Sequence, residues 1–240
     1  MLLHSEGIVI KTTRYSETSV IAKIYTREKG MLSFYIPGVY SRKAQIRPSY
    51  LQPLQQLDLQ FYFRENRNLN KIKEARVVKI DNLMSLDVKK SILTVFITEV
   101  VHKTVKEEEA NKDLYGFLEE VPFILASKQT NAGYFPIWFL IAFSRYLGFF
   151  PENNYSAASL YFHLSEGRFS EHFKGYENCL DTEESLKFNQ LLAMTETDTN
   201  IDIPDKFTIN TLFDILLRYY GVHIPGFGKI RSREVLREMD

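Results

Sequence analysis

The spacing of apolar residues changes near residue 81, and no single kind of secondary structure accommodates both halves of the chain. Before that point apolar positions alternate singly. Val20, Ala22 and Ile24 alternate with Ile21, Lys23 and Tyr25. Leu32, Phe34 and Ile36 alternate with Ser33, Tyr35 and Pro37, and Leu57, Leu59, Phe61 and Phe63 with Asp58, Gln60, Tyr62 and Arg64. Period two places one set inward on a sheet and the other outward. Gly30, after Arg27-Glu28-Lys29, supplies a turn residue between two of these strands. Gly7–Thr12 and Lys71–Ile80 complete a set of five. Five short strands in so little chain predict a small closed barrel, and the OB-fold is the common five-stranded barrel that handles nucleic acid.

After residue 81 the period is helical. Val88, Ile92, Val95, Phe96, Glu99 and Val100 form one face; Leu114, Phe117, Leu118, Val121 and Leu125 form another, with Pro122 expected to bend or interrupt that helix. Residues 132–147 predict a nearly all-apolar central helix, stopped by Gly148 and Pro151. Glu184–Met194 and Asn210–Tyr220 predict further helices, and Ser232 is expected to cap a last one reaching Met239. Leu160–Leu164 and Gly167–Phe173 predict a small hairpin. The expected class is therefore α+β: an N-terminal five-stranded OB-fold β-barrel over residues 1–80, then an all-α helical domain over 81–240 with a small hairpin insertion.

Charge divides at the same place. The whole chain balances 30 Lys/Arg against 30 Asp/Glu, which excludes a uniformly basic nucleic-acid binder. Residues 1–80 nevertheless hold 14 basic against 6 acidic side chains, and the remainder 16 against 24. Such asymmetry suggests a basic module for a polyanion joined to a part with another task; the alternative is charge scattered over two solvated surfaces. The most apolar stretch, Tyr134–Phe143, contains Pro136 and is too short to span a bilayer. With no leader-like start at Met1–Ile10, a cytoplasmic, nucleoid-associated protein without membrane partners is expected.

Catalytic signatures are missing. There is no Gly-x-Ser-x-Gly elbow and no His-Glu-x-x-His helix. Gly226-Phe227-Gly228-Lys229 resembles a phosphate loop only superficially: its first glycine would fall at His223, and Ile230 replaces the magnesium-binding hydroxyl. His4, His102, His163, His172 and His223 make no ligand spacing with one another or with Cys179, and are expected as surface or satisfied core groups. Glu107-Glu108-Glu109 is expected as a solvated helix end. No enzyme activity, metal or cofactor is expected. The residues that carry chemistry are basic and aromatic. Lys11, Arg14 and Tyr15 follow the first strand, Arg27 and Lys29 sit at a turn, and Arg42, Lys43 and Arg47 occupy the long connection after the third strand. Cations there neutralise phosphates, and Tyr15, Tyr35 and Tyr40 suit stacking on unpaired bases, though Tyr35 fits the barrel wall equally well. A DNA-binding module and an OB-fold that binds RNA or only a protein partner both satisfy these residues.

Glu6-Gly7-Ile8-Val9-Ile10-Lys11, Tyr15-Ser16-Glu17-Thr18-Ser19, Tyr25-Thr26-Arg27-Glu28-Lys29-Gly30, Gly38 with Arg42-Lys43, Leu51-Gln52-Pro53-Leu54, Arg145 to Pro151 and Lys229 to Leu236 occur in the order and spacing that resemble the RecO family of bacterial DNA repair proteins. The resemblance implies a non-enzymatic recombination mediator. Such a protein binds single- and double-stranded DNA, anneals complementary strands, contacts RecR and single-strand binding protein, and helps to load RecA. Many members carry a four-cysteine zinc ribbon after the Gly-Phe-x-Pro segment. Here residues 152–181 hold only Cys179, so this segment is expected to be a metal-free remnant. The acidic tail that the resemblance gives to single-strand binding protein needs cations beside an apolar groove. Lys103, Lys106 and Arg145 are the candidates, and the basic stretch from Arg218 extends the candidate DNA track.

Overall fold

The computed structural model describes residues 1–65, 68–78, 88–106, 109–127, 130–197 and 205–238, with the backbone alone for 194–197. The chain divides into two compact units, residues 1–130 and 131–240.

The first unit holds β1 (Leu2–Arg14), β2 (Val20–Thr26), β3 (Gly30–Ile36), β4 (Gln56–Tyr62), β5 (Asn70–Val77), α1 (Val88–Thr104) and α2 (Lys112–Ala126). The strands close into a barrel in the order β1-β2-β3-β5-β4. All pairs are antiparallel except β3 with β5. This is the five-stranded OB-fold. The expected alternation is realised: Val20, Ala22, Ile24, Leu32, Phe34, Ile36, Leu57, Leu59 and Phe61 fill the interior. Lys79 and Ile80, expected at the end of the fifth strand, lie outside the described residues, as do Glu107 and Glu108.

Two departures from simple alternation have one cause. Tyr25, outward by period, is only 1% exposed. Gly7, Ile8, Val9 and Ile10 are all buried, so β1 is covered on both faces. The cover is helical: α1 packs against β1, and the Tyr25 ring stacks on Tyr115 of α2 with centroids 6.2 Å apart. Gly7 is required in this wall, because a Cβ there would stand 2.6 Å from Ile24 Cγ2 and 3.0 Å from Leu59 Cδ1. Gly30 has φ of 66° and closes the β2–β3 turn, as its position suggested.

The helices correct several expectations. In α1 the buried apolar residues are Leu93, Phe96, Ile97, Val100 and Val101, joined by Thr94 and Thr98, while Val88 and Val95 are 74% and 48% exposed. The helix is apolar on most of its circumference, so its inner face is set by what it meets and not by period. α2 runs through Pro122 without interruption; Asn111 Oδ1 accepts the Leu114 N–H at its start.

The second unit holds α3 (Phe135–Tyr146), β6 (Tyr161–His163), β7 (Arg168–Ser170), α4 (Thr182–Thr197), α5 (Lys206–His223) and α6 (Ser232–Arg237). α3 begins later than expected, because Asn131 caps Tyr134 and Pro136 occupies the first turn, where a missing N–H is harmless. The hairpin is shorter than expected, three residues in each strand. Tyr219 and Tyr220 of α5 donate their hydroxyls to the carbonyls of Phe149 and Leu140, each at 2.6 Å. Ser232 is not the cap of α6. It is the first helical residue and buried, with Arg231 in the cap position making no side-chain cap bond. What anchors α6 is Arg233, 6% exposed, paired with Asp214 at 2.7 Å and stacked over Phe213. Met239 lies outside the described residues.

Substituting Gly7 by Ala is expected to destabilise the protein by about 1–3 kcal/mol, the cost of overpacking a filled core. A urea unfolding curve with an unshifted midpoint would show that Ile24 and Leu59 yield without cost.

Candidate nucleic-acid interface

The barrel sorts the basic residues of its loops into two groups at opposite ends. The β1–β2 loop and the connection after β3 start at one end, since Arg14 pairs with Val20 and Val20 with Ile36. The β2–β3 turn lies at the other, about 20 Å away along β2 at 3.3 Å per residue.

At the first end Arg14 donates to the carbonyls of Ser16 and Glu17 at 3.2 and 3.1 Å, and its guanidinium lies 5.3 Å over the Tyr40 ring. Tyr15, 64% exposed, meets Tyr35 edge-on at 5.7 Å. Residues 37–47 continue the rim. Gly38 has φ of 68°, and its carbonyl accepts from both the backbone N–H and the hydroxyl of Ser41; the Ala44 N–H then returns to the Ser41 carbonyl. These tight turns carry Arg42 and Lys43, both exposed, as is Arg47. The rim is tied to the barrel where Thr12 Oγ1 donates to the Leu51 carbonyl at 3.1 Å. Leu54, buried with φ of 61°, is held there by its N–H to the Val9 carbonyl. A barrel rim with one aromatic pair, one cation–π pair and exposed cations can stack bases and neutralise phosphates.

At the second end the geometry gives Arg27 a different occupation. Its Nη2 lies 2.8 Å from Glu6 Oε2 and 2.8 Å from Glu119 Oε1 of α2, and its guanidinium lies 4.3 Å over the Tyr115 ring. Burial opposes its charge, but the Glu119 hydrogen bond and the charges of Glu119 and Glu6 outweigh that and raise its pKa. Gln56 Nε2 adds a bond to the Glu119 carbonyl at 2.8 Å. Lys29 sits 5.0 Å over the Phe63 ring. Lys11 belongs to neither end. It lies on β1 and donates from Nζ to His102 Nε2 of α1 at 3.1 Å. Glu119, Tyr115 and His102 are some 90 residues from their partners in sequence, and no local pattern points to them.

Lys103 lies 3.9 Å from Glu99 on α1, and Lys106 is exposed just beyond that helix. Arg145, in the second unit, lies 4.3 Å over the Phe150 ring. Residues 152–181 do not fit a zinc site. Cys179 is buried and accepts the Lys174 N–H, while His163, 1% exposed, has Nε2 2.7 Å from both Ser170 Oγ and the His172 carbonyl. His223 is likewise engaged, stacked flat on Phe149 and bonded to the Leu164 carbonyl. Among the described residues no group of three His, Cys, Asp or Glu side chains could hold a metal ion, and no helix is long and apolar enough to cross a membrane.

Residues 1–80 match the family model described as Recombination protein O N terminal, and residues 85–234 match Recombination protein O C terminal. Similar proteins named DNA repair protein RecO occur in Flavobacterium psychrophilum, 30% identical over 240 residues, and in Christiangramia forsetii, 31% over 242. Another, from Phocaeicola vulgatus, is 30% identical over 239 residues. In each case the match spans 100% of this chain and 99% of the relative. The chain belongs to the RecO family, whose members act in DNA repair and recombination.

Replacing Arg27 by Ala is expected to lower stability by about 1–3 kcal/mol, since it leaves Glu119 partly buried without its cation. The measurement is the urea midpoint. An unchanged midpoint would remove Arg27 from the role of fastening α2 to the barrel.

Proposed function

We propose that this protein is a recombination mediator that binds single- and double-stranded DNA through the barrel rim, anneals complementary strands, and with RecR helps to load RecA on strands covered by single-strand binding protein. The observation that carries this reading is the rim itself: Arg14 on Tyr40, Tyr15 on Tyr35, and Arg42, Lys43 and Arg47 exposed beside them. Lys11 and Lys29 supplement it from other parts of the barrel. Arg27 is left out, because its guanidinium is committed to Glu6, Glu119 and Tyr115.

Residues 1–80 form the DNA-binding part in this reading, and residues 81–240 an adaptor for the acidic tail of single-strand binding protein, with Lys103 and Lys106 in the first compact unit and Arg145 in the second as separate candidate contacts. Residues 152–181 serve as a structural remnant without metal. The protein works at the nucleoid without bond-making chemistry and without a cofactor.

Replacing Arg42 and Lys43 together by Ala is expected to weaken DNA binding alike across sequences. It should flatten the dependence of log affinity on log salt by about two units, one for each phosphate that is no longer neutralised. Fluorescence titrations at several salt concentrations measure this; an unchanged slope removes both residues from the interface.

Annealing is expected to proceed without nucleotide. Base pairing supplies the driving force, with stacking worth about 1.4 kcal/mol per step, and the obstacle is repulsion between two polyanions. Cations that neutralise one strand, with tyrosines that keep its bases apart, reduce that obstacle. Strand-annealing assays with and without ATP test this. Strict dependence on ATP, or no acceleration at low salt, would favour a barrel that binds only a protein partner.

A further inference from the structure

β1 and β2 pair regularly from Gly7 opposite Thr26 to Val9 opposite Ile24, and then slip by one residue so that Lys11 stands opposite Lys23. In unbroken register Lys11 would face Ala22, a residue of the barrel interior. The extra residue is Ile10, which is buried. A bulge of this kind re-aims the side chains that follow it. Here it places two lysines directly opposite each other on one outer face, an arrangement that destabilises a sheet. Neither lysine forms an ion pair with a carboxylate among the described residues.

The helix across from them brings His102 and Lys103 to this face. Lys11 donates to Nε2 of His102 at 3.1 Å, which makes that nitrogen the acceptor and puts the ring hydrogen on Nδ1. Nδ1 is buried and has no hydrogen-bond partner. Lys103 follows on the same helix, with Glu99 3.9 Å away. Burial, and then the charges of Lys11, Lys23 and Lys103, push the His102 pKa down to about 4. The groups facing this imidazole are thus Lys11 from β1, Lys23 from β2 and Lys103 from its own helix, where Glu99 also stands.

We propose that Lys11, Lys23 and His102 form a phosphate-binding site at the seam between the barrel wall and α1, which takes a backbone phosphate of bound nucleic acid away from the rim. The proposal rests on the reading of the barrel as the DNA-binding part. An oxyanion between the two lysines relieves their repulsion. It also draws the Lys11 ammonium off Nε2, leaving that nitrogen to accept a proton and donate it in a hydrogen bond to the phosphate.

The test compares the full-length protein with Lys23→Ala, Lys23→Gln, His102→Gln and the Arg42→Ala/Lys43→Ala double variant, using labelled oligothymidylate at several salt concentrations. Both Lys23 variants are expected to flatten the salt slope by about one unit. Lys23→Gln keeps most of the stem and so separates lost charge from lost packing. Proton NMR supplies the second readout: the His102 titration midpoint is expected to rise on saturation with the oligonucleotide in the unaltered protein, and to stay where it is in Lys23→Gln. Unaltered slopes in the Lys23 and His102 variants, with a flattened slope in the double variant and a His102 midpoint that does not rise when the unaltered protein is saturated, would overturn the seam site and leave the rim standing. An unaltered protein that binds no oligothymidylate at any salt concentration would overturn the reading of the barrel and this site with it.

Discussion

A closed barrel has no edge strands to protect, but it keeps an outer wall, and in this protein part of that wall is apolar. Ile8, Ile10 and Tyr25 must be taken out of water, and α1 and α2 do this. Arg27 secures the arrangement. It lies across two carboxylates, one on β1 and one on α2, with its flat face on Tyr115. Arginine suits this place because its planar fork can meet two carboxylates while its face covers a ring. The first two helices therefore form one compact unit with the barrel although their hydrophobic period differs from that of the strands.

This cover decides which cations of the barrel remain in solvent. Arg27 is held within the fold, whereas Arg42, Lys43 and Arg47 sit in solvent on short turns. Arg14 is intermediate: two backbone carbonyls hold it in place, and its guanidinium remains over the exposed Tyr40 ring. A cation fixed in this way loses little further entropy when a phosphate arrives, the advantage of preorganisation. The basic excess of residues 1–80 is thus not spread evenly over the barrel but is graded from structural pairing at one end to exposure at the other.

The second unit shows how a segment lacking metal thiolates can still be ordered. Phe162 of the hairpin packs on Phe169, Phe188 and Tyr219, and His163 is bonded within the hairpin and to the His172 carbonyl. Gly167 turns the chain with φ of 68° where a Cβ would lie 2.7 Å from the Tyr219 hydroxyl. Aromatic contacts and hydrogen bonds order this segment.

Period located β2, β3 and β4, their inward residues and the change to helix, because alternation and three-to-four spacing are local properties of the backbone; it placed β1 at Gly7–Thr12, where the strand runs Leu2–Arg14 and is covered on both faces. The positions of Gly30 and Gly148 were legible for the same reason: a positive φ is a local demand. The inner face of α1 was not legible, since a helix apolar on most sides takes its orientation from its neighbours. The start of α6 was missed because Ser232 makes a plausible cap in sequence but is buried as the first helical residue in the fold. Among the basic residues, sequence could place Arg14, Arg27 and Arg42 alike in turns. Only the tertiary structure distinguished them, by bringing Glu119 and Tyr115 to Arg27 and neither to the others. The bulge that turns Lys11 toward Lys23 belongs to the same class. Register and charge pairing depend on residues far apart in the chain, and spacing along one strand carries no record of them.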